Sequence, residues 1–178
     1  SEYQDGSLFT PFQIHSLDKW LVGRPFYKSC NQLMDAGYGV DFFSDRFMES
    51  ARYEKGYIVF GKAKYSSLVI SAIQYMPLET LTKLTELKKQ GAKIYFEGIP
   101  NSIPGMGQKP DDDVKFRSLV KSLISGNDVL SQLQKEGIKP AMLASTGLKF
   151  ITRNTPEGKV YFIANHTSQN FDGEIVLN

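Results

Sequence analysis

The chain has 178 residues and a mass of 20.0 kDa, with 41% hydrophobic residues, 22% charged residues, and 21 Lys+Arg against 19 Asp+Glu for a formal net charge of +2. That balance excludes a disulfide mini-scaffold and a disordered chain, and argues against a nucleic-acid binder, which would carry a basic stripe. One cysteine, Cys30, permits neither an intramolecular disulfide nor a cysteine-based zinc site, His15 and His166 cannot form a His-rich metal site, and no run reaches the roughly 18 apolar residues that span a bilayer.

The opening residues 1–7 contain no basic region followed by an apolar run, so no secretion signal is read there. Leu8 to Ile14 is expected as a first strand, made irregular or confined to an edge by Pro11. Cys30, Leu33, Met34 and Ala36 follow helical spacing and stop at Gly37, after which Tyr38 to Phe43 reads as a strand. Ser44 then suits the N-cap of a short helix over Asp45 to Ala51. Tyr57 to Phe60 is extended, and the polar turn Gly61 to Tyr65 is expected to join it to the strand at Leu68 as an antiparallel edge hairpin.

The most legible unit follows. Ser67 to Ser71 is a short apolar run that suits a strand buried on both faces, and Pro77 suits the first position of a helix. Leu78, Leu81, Leu84 and Leu87 repeat every three residues along one face of that helix, Gly91 ends it, and Lys93 to Glu97 supplies the next strand. Strand, helix and strand with tight connections predict a parallel βαβ crossover. Ile99 to Gln108, rich in proline and glycine, then forms a loop over the C-terminal ends of the parallel strands, where open α/β sheets commonly place ligand crevices.

Asp111 is expected to cap a helix whose apolar face carries Val114, Phe116, Leu119, Val120, Leu123 and Ile124, with Asp112 and Asp113 in its first turn. Gly126 breaks it, and a second helix runs from Asp128 to Glu136. After Pro140 the pattern changes to β segments at 148–153, 159–165 and 173–177, separated by turn residues. The boundary therefore falls near 138–147, giving an α/β domain over 1–140 and an antiparallel β segment over 141–178. The chain stops at Val176-Leu177-Asn178 inside a strand-like pattern, which predicts a fragment of a longer polypeptide.

Chemistry-bearing residues are few. Cys30 is the one possible thiol nucleophile, but it falls on the apolar face of a predicted helix and reads as a small buried hydrophobe. Glu97 is the one carboxylate at the C-terminal end of a predicted parallel strand, and Asn101 lies in the loop that follows; both are candidate binding residues. Trp20, Tyr3 and Tyr27 are candidates to stack on a sugar ring. The run Asp111-Asp112-Asp113 is a helix start rather than a metal cluster. Gly105-Met-Gly107 lacks the lysine of a phosphate loop, so no cofactor is expected, and Asn165-His166-Thr167 matches the N-glycosylation acceptor pattern.

Leu33-Met-Asp-Ala-Gly-Tyr-Gly-Val-Asp-Phe42, Tyr65 to Ser71, Met76 to Leu81, Gly91 to Phe96 and Gly98-Ile-Pro100 occur in an order that resembles the α-L-rhamnosidases of glycoside hydrolase family 106. Leu148 to Arg153 followed by Lys159 to Asn165 extends the resemblance, which departs from the family at Ser71 and over Leu8 to Leu21. The resemblance implies a flavodoxin-like or amidotransferase-like α/β domain: an open, mostly parallel sheet with helices on both faces, followed by C-terminal antiparallel strands that begin a β-sandwich. It implies an accessory role beside a catalytic barrel of the same polypeptide, with that barrel and carbohydrate as partners, and an extracellular or periplasmic location. It carries no catalytic residue onto this chain. A carbohydrate-binding module and a stand-alone amidotransferase or peptidase are the competing readings, the latter requiring a nucleophile elbow that the sequence lacks.

Overall fold

The computed structural model describes residues 21–105, 109–123, 126 and 128–177. The expected first strand at Leu8 to Ile14 lies outside them, as do Tyr3, His15 and Trp20.

Helix α1 (Pro25–Asp35) starts with proline at its first position, where the missing N–H costs nothing, and is followed by Gly37 at φ +90°. After a short helix α2 (Asp45–Glu49), with Ser44 as its N-cap residue, come three strands: β1 (Arg52–Glu54), β2 (Tyr57–Phe60) and β3 (Ala63–Tyr65). They form an antiparallel meander in the order β1-β2-β3, with Tyr53 opposite Ile58 and Val59 opposite Lys64. The expected pairing of Tyr57 to Phe60 with Leu68 is thus corrected. The turn at Gly61, with φ +59°, reverses the chain quickly enough for Ala63–Tyr65 itself to be the partner strand.

Strand β4 (Leu68–Ile70), helix α3 (Leu78–Lys89) and strand β5 (Ile94–Phe96) form the crossover read from the sequence, and β4 pairs with β5 in parallel, Leu68 opposite Ile94 and Ile70 opposite Phe96. Leu78, Leu81, Leu84 and Leu87 are all buried, as their spacing predicts. The alternation of side chains along the pair divides the core in two. Leu68, Ile70, Ile94 and Phe96 join α3, Met48, Ile58 and Phe116 in the larger cluster. Val69 and Tyr95 point to the opposite side, where Leu33 of α1 and Leu133 of helix α5 (Val129–Lys135) close the smaller one. Helices therefore cover both faces of the parallel pair, as expected.

The sheet itself is smaller than expected. Among the described residues the strands make a three-stranded meander, a parallel pair and a two-stranded hairpin, and not one open, mostly parallel sheet. Tyr38 to Phe43, expected as a strand, is irregular. Its side chains still seek the core: Tyr38 and Val40, like Val69 and Tyr95, pack against the cluster of Leu33, Val129 and Leu133, and the Tyr38 hydroxyl donates to the Ile138 carbonyl at 3.1 Å. Side-chain burial and a side-chain hydrogen bond anchor this segment where a β-ladder was expected to do so.

Helix α4 (Pro110–Val120) begins two residues earlier than expected: Lys109, not Asp111, is the N-cap residue, because Pro110 takes the first helical position; Asp112 accepts a 3.3 Å hydrogen bond from the Lys109 N–H, which satisfies one donor at the helix start. Phe116 and Leu123 are buried, Leu119 and Val120 are half-buried, and Val114 is exposed. The helix ends at Val120, ahead of Gly126, and the Gly126 N–H donates to the Phe96 carbonyl at 2.8 Å. Asp128 caps α5 by accepting from the Ser131 N–H at 3.0 Å. A 3₁₀ turn at Met142–Thr146 leads to the antiparallel hairpin β6 (Lys149–Thr155) and β7 (Gly158–Ala164). The expected strand at 173–177 does not form: these residues are exposed and carry no ladder among the described residues, although their apolar run is strand-like. No described helix is long and apolar enough to cross a membrane.

Candidate functional site

Two loops leave the C-terminal ends of the parallel pair and run side by side. The Glu97 N–H donates to the Ile70 carbonyl at 2.9 Å, Asn101 N–H to the Gln74 carbonyl at 2.8 Å, and Met76 N–H to the Ser102 carbonyl at 3.1 Å. A Cβ on Gly98 would stand 2.9 Å from the Ala72 Cβ, so glycine is what allows this approach. The strand-end loop is therefore where the sequence placed it.

Within it, the Glu97 carboxylate accepts a 2.9 Å hydrogen bond from the buried Ser29 hydroxyl, which ties β5 to α1. Asn101 is exposed. Trp20 lies outside the described residues. Nothing in the amino-acid pattern singles out Ser29, since a lone serine on a helix carries no spacing signal.

Ser29 is also part of the wall of a groove of about 970 Å³ that opens between α1, the 38–45 segment, β3 and the end of β4. Neither Glu97 nor Asn101 lines it. Its wall carries the rings of Phe26, Phe42 and Phe47 and the buried hydroxyl side chains of Ser29, Ser71 and Thr80. Phe42 is 61% exposed and Phe47 58%, while Phe26 and Phe42 stand with ring centroids 5.1 Å apart. Rings that have a core available yet face solvent in a concavity are an observation that asks for a ligand or a partner. The sequence pattern concealed this, because Phe42 was read as a strand residue.

Two carboxylates stand in the groove with fixed orientations. Asp45 accepts from the Thr80 hydroxyl at 2.7 Å, and Asp41 accepts from the Tyr65 hydroxyl at 3.0 Å while Arg153 approaches its other oxygen at 3.6 Å. Burial, reinforced by the Asp41 carboxylate it donates to, pushes the Tyr65 hydroxyl above its ordinary range, so it stays a neutral donor at physiological pH.

Cys30 is buried on α1, its Sγ 3.6 Å from the Met34 sulfur, and burial pushes its thiol up. A nucleophilic cysteine needs the opposite shift. Cys30→Ala is expected to lower stability by about 1 kcal/mol through lost packing and to leave turnover of the intact protein unchanged; thermal unfolding and steady-state rates check the two halves, and a folded variant without turnover would overturn the assignment. Among the described residues no cluster of three His, Cys, Asp or Glu side chains could hold a metal ion.

The class defined by this geometry is a mixed α/β unit built on a βαβ crossover, with its concave surface beside the strand ends. A family model described as alpha-L-rhamnosidase, that of glycoside hydrolase family 106, matches residues 22–176, and the chain belongs to that family. No curated protein and no solved structure matches it.

Proposed function

We propose that the chain is a non-catalytic accessory unit of a rhamnosidase-related, carbohydrate-degrading protein, and that it supports a catalytic barrel of the same polypeptide. The observation that carries this reading is the outer face of the β6–β7 hairpin. Pairing of Ile151 with Phe162 and of Arg153 with Val160 places three apolar side chains on one side, with Ile151 51%, Val160 56% and Phe162 69% exposed. Phe150, Thr152, Tyr161 and Ile163, on the other side, are half-buried. A two-stranded hairpin is at best marginally stable alone, and an apolar outer face favours a covering surface. In this reading residues 141–178 begin a β-sandwich, residues 1–140 are the amidotransferase-like domain, and other domains of the polypeptide cover the hairpin.

Catalysis by the chain itself is disfavoured on chemical grounds. Glycoside hydrolysis needs a carboxylic acid to protonate the leaving oxygen and a second carboxylate as base or nucleophile. Glu97 is engaged with Ser29; of the two groove carboxylates Asp41 is held by Tyr65 and Arg153 and Asp45 by Thr80; Asp35, Asp113 and Glu136 are engaged with Lys149, Arg117 and Lys93 at the surface. The 178-residue chain is therefore expected to leave an aryl α-L-rhamnoside at the background rate, while protein expressed from the complete reading frame hydrolyses it. Assay of both, each beside its Glu97→Gln variant, decides: turnover by the 178-residue chain that vanishes in Glu97→Gln would place an active site here.

A further inference from the structure

The geometry points to the groove beside β4 as a saccharide-binding subsite, separate from any site of bond cleavage, that holds a neutral sugar residue against Phe42 and Phe26. The inference rests on the family reading for the choice of sugar, and on the groove for the binding.

Charge decides the class of ligand. Asp41 is matched by Arg153 and the Tyr65 hydroxyl, and Asp45 by the Thr80 hydroxyl, so the two acids are compensated or hydrogen-bonded and present no concentrated field of one sign. Lys64, Lys139 and Lys159 also line the groove, so charges of both signs are interspersed along its wall and neither sign is gathered against one point. An ionised carboxylate offers about four lone-pair positions, so each acid keeps acceptor capacity after its protein hydrogen bonds. Oriented acceptors suit hydroxyl donors on a ligand.

The rings decide the rest. A pyranose has one polar rim and two faces of C–H bonds, and a deoxy sugar such as rhamnose adds a methyl group that no polar wall would welcome. The tilted Phe26–Phe42 pair and the neighbouring Phe47 give such faces a surface to cover, while Asp41 and Asp45, from the same segment and its following helix, meet the hydroxyls. A volume of about 970 Å³ holds more than one sugar residue, which suits a polymer better than a monosaccharide. A protein partner would fit the flat hairpin face better than this concavity with its buried Ser29, Ser71 and Thr80.

Affinity electrophoresis of protein from the complete reading frame, through gels containing a soluble polysaccharide with rhamnose side groups, tests the proposal. The wild type is expected to be retarded. Phe42→Ala should weaken retention about tenfold, the effect of a lost ring surface, and the isosteric Asp41→Asn should weaken it as well while preserving the groove's shape. Phe162→Ala, on the hairpin face, should migrate as the wild type does. In both groove variants KM on the polysaccharide should rise, while Phe162→Ala should keep wild-type kcat on an aryl rhamnoside and wild-type KM on the polysaccharide. Wild-type migration unaffected by the polysaccharide, or unchanged retention in both groove variants, would overturn the proposal. So would new protease sensitivity in Phe42→Ala with retention intact, which would make the groove a domain interface. Failure of the wild type to hydrolyse any rhamnoside would remove the family's activity from this chain's protein and leave the retention test standing.

Discussion

Phe96→Ala is expected to lower the unfolding free energy by about 3–5 kcal/mol, measured by urea denaturation, a large share of the roughly 5–15 kcal/mol that holds a domain folded. Phe96 is 1% exposed at the end of β5, in the cluster that also holds Leu81, Leu84 and Phe116, and the Lys88 ammonium lies 5.8 Å from its ring centroid. Truncation would remove a ring from the place where the parallel pair meets α3 and α4, and the surrounding backbone is fixed: the Phe96 carbonyl accepts from Gly126 and its strand pairs with β4. The cavity could close only in part. A loss below about 1 kcal/mol would mean that the crossover is not the centre of the fold.

Gly37→Ala is expected to cost about 2–4 kcal/mol, from two separate causes. Gly37 has φ +90°, a conformation that an L side chain rarely adopts, and an added Cβ would lie 2.5 Å from the Ala144 Cβ and 3.1 Å from the Ala141 carbonyl oxygen. The close approach is itself held by the Ala141 N–H, which donates to the Gly37 carbonyl at 2.9 Å. Gly147→Ala serves as the control, since Gly147 has φ +74° but nothing within 4 Å of its Cβ position, so only the conformational cost of about 1 kcal/mol remains. Equal melting shifts for the two variants would show that the packing of the α1 end against the 3₁₀ turn contributes nothing.

This contact also bears on the proposed boundary near 138–147. The end of α1 meets Pro140, Ala141 and Ala144, and Asp35 and Asp41 pair with Lys149 and Arg153 of the hairpin. These exposed ion pairs each contribute little, whereas the fit at Gly37 is steric. The boundary therefore divides composition more sharply than it divides contacts.

Wherever a segment's own pattern determines its environment, the sequence determined the structure. Leu78, Leu81, Leu84 and Leu87 lie on one helical face, so any core would bury them together, and short connections flanked by Pro77 and Gly91 leave parallel pairing of β4 and β5 as the plain outcome. The same holds for Cys30 on the inner face of α1 and for the tight turn between β6 and β7. Family membership was legible for the same reason, as the motifs that carry it are these strands and helices in order. What only the tertiary structure decided is which extended segments find a ladder. Tyr38 to Phe43 and 173–177 have strand-like composition but no ladder, and Ala63–Tyr65, read as a turn, became a strand, because β pairing depends on a partner's backbone that local sequence does not specify. The groove follows the same rule: the adjacent Asp41 and Phe42 are far in the sequence from Tyr65 and Thr80, each is unremarkable singly, and only the packing of an irregular segment against β3, β4 and α3 brings their rings and hydroxyls to one concave surface.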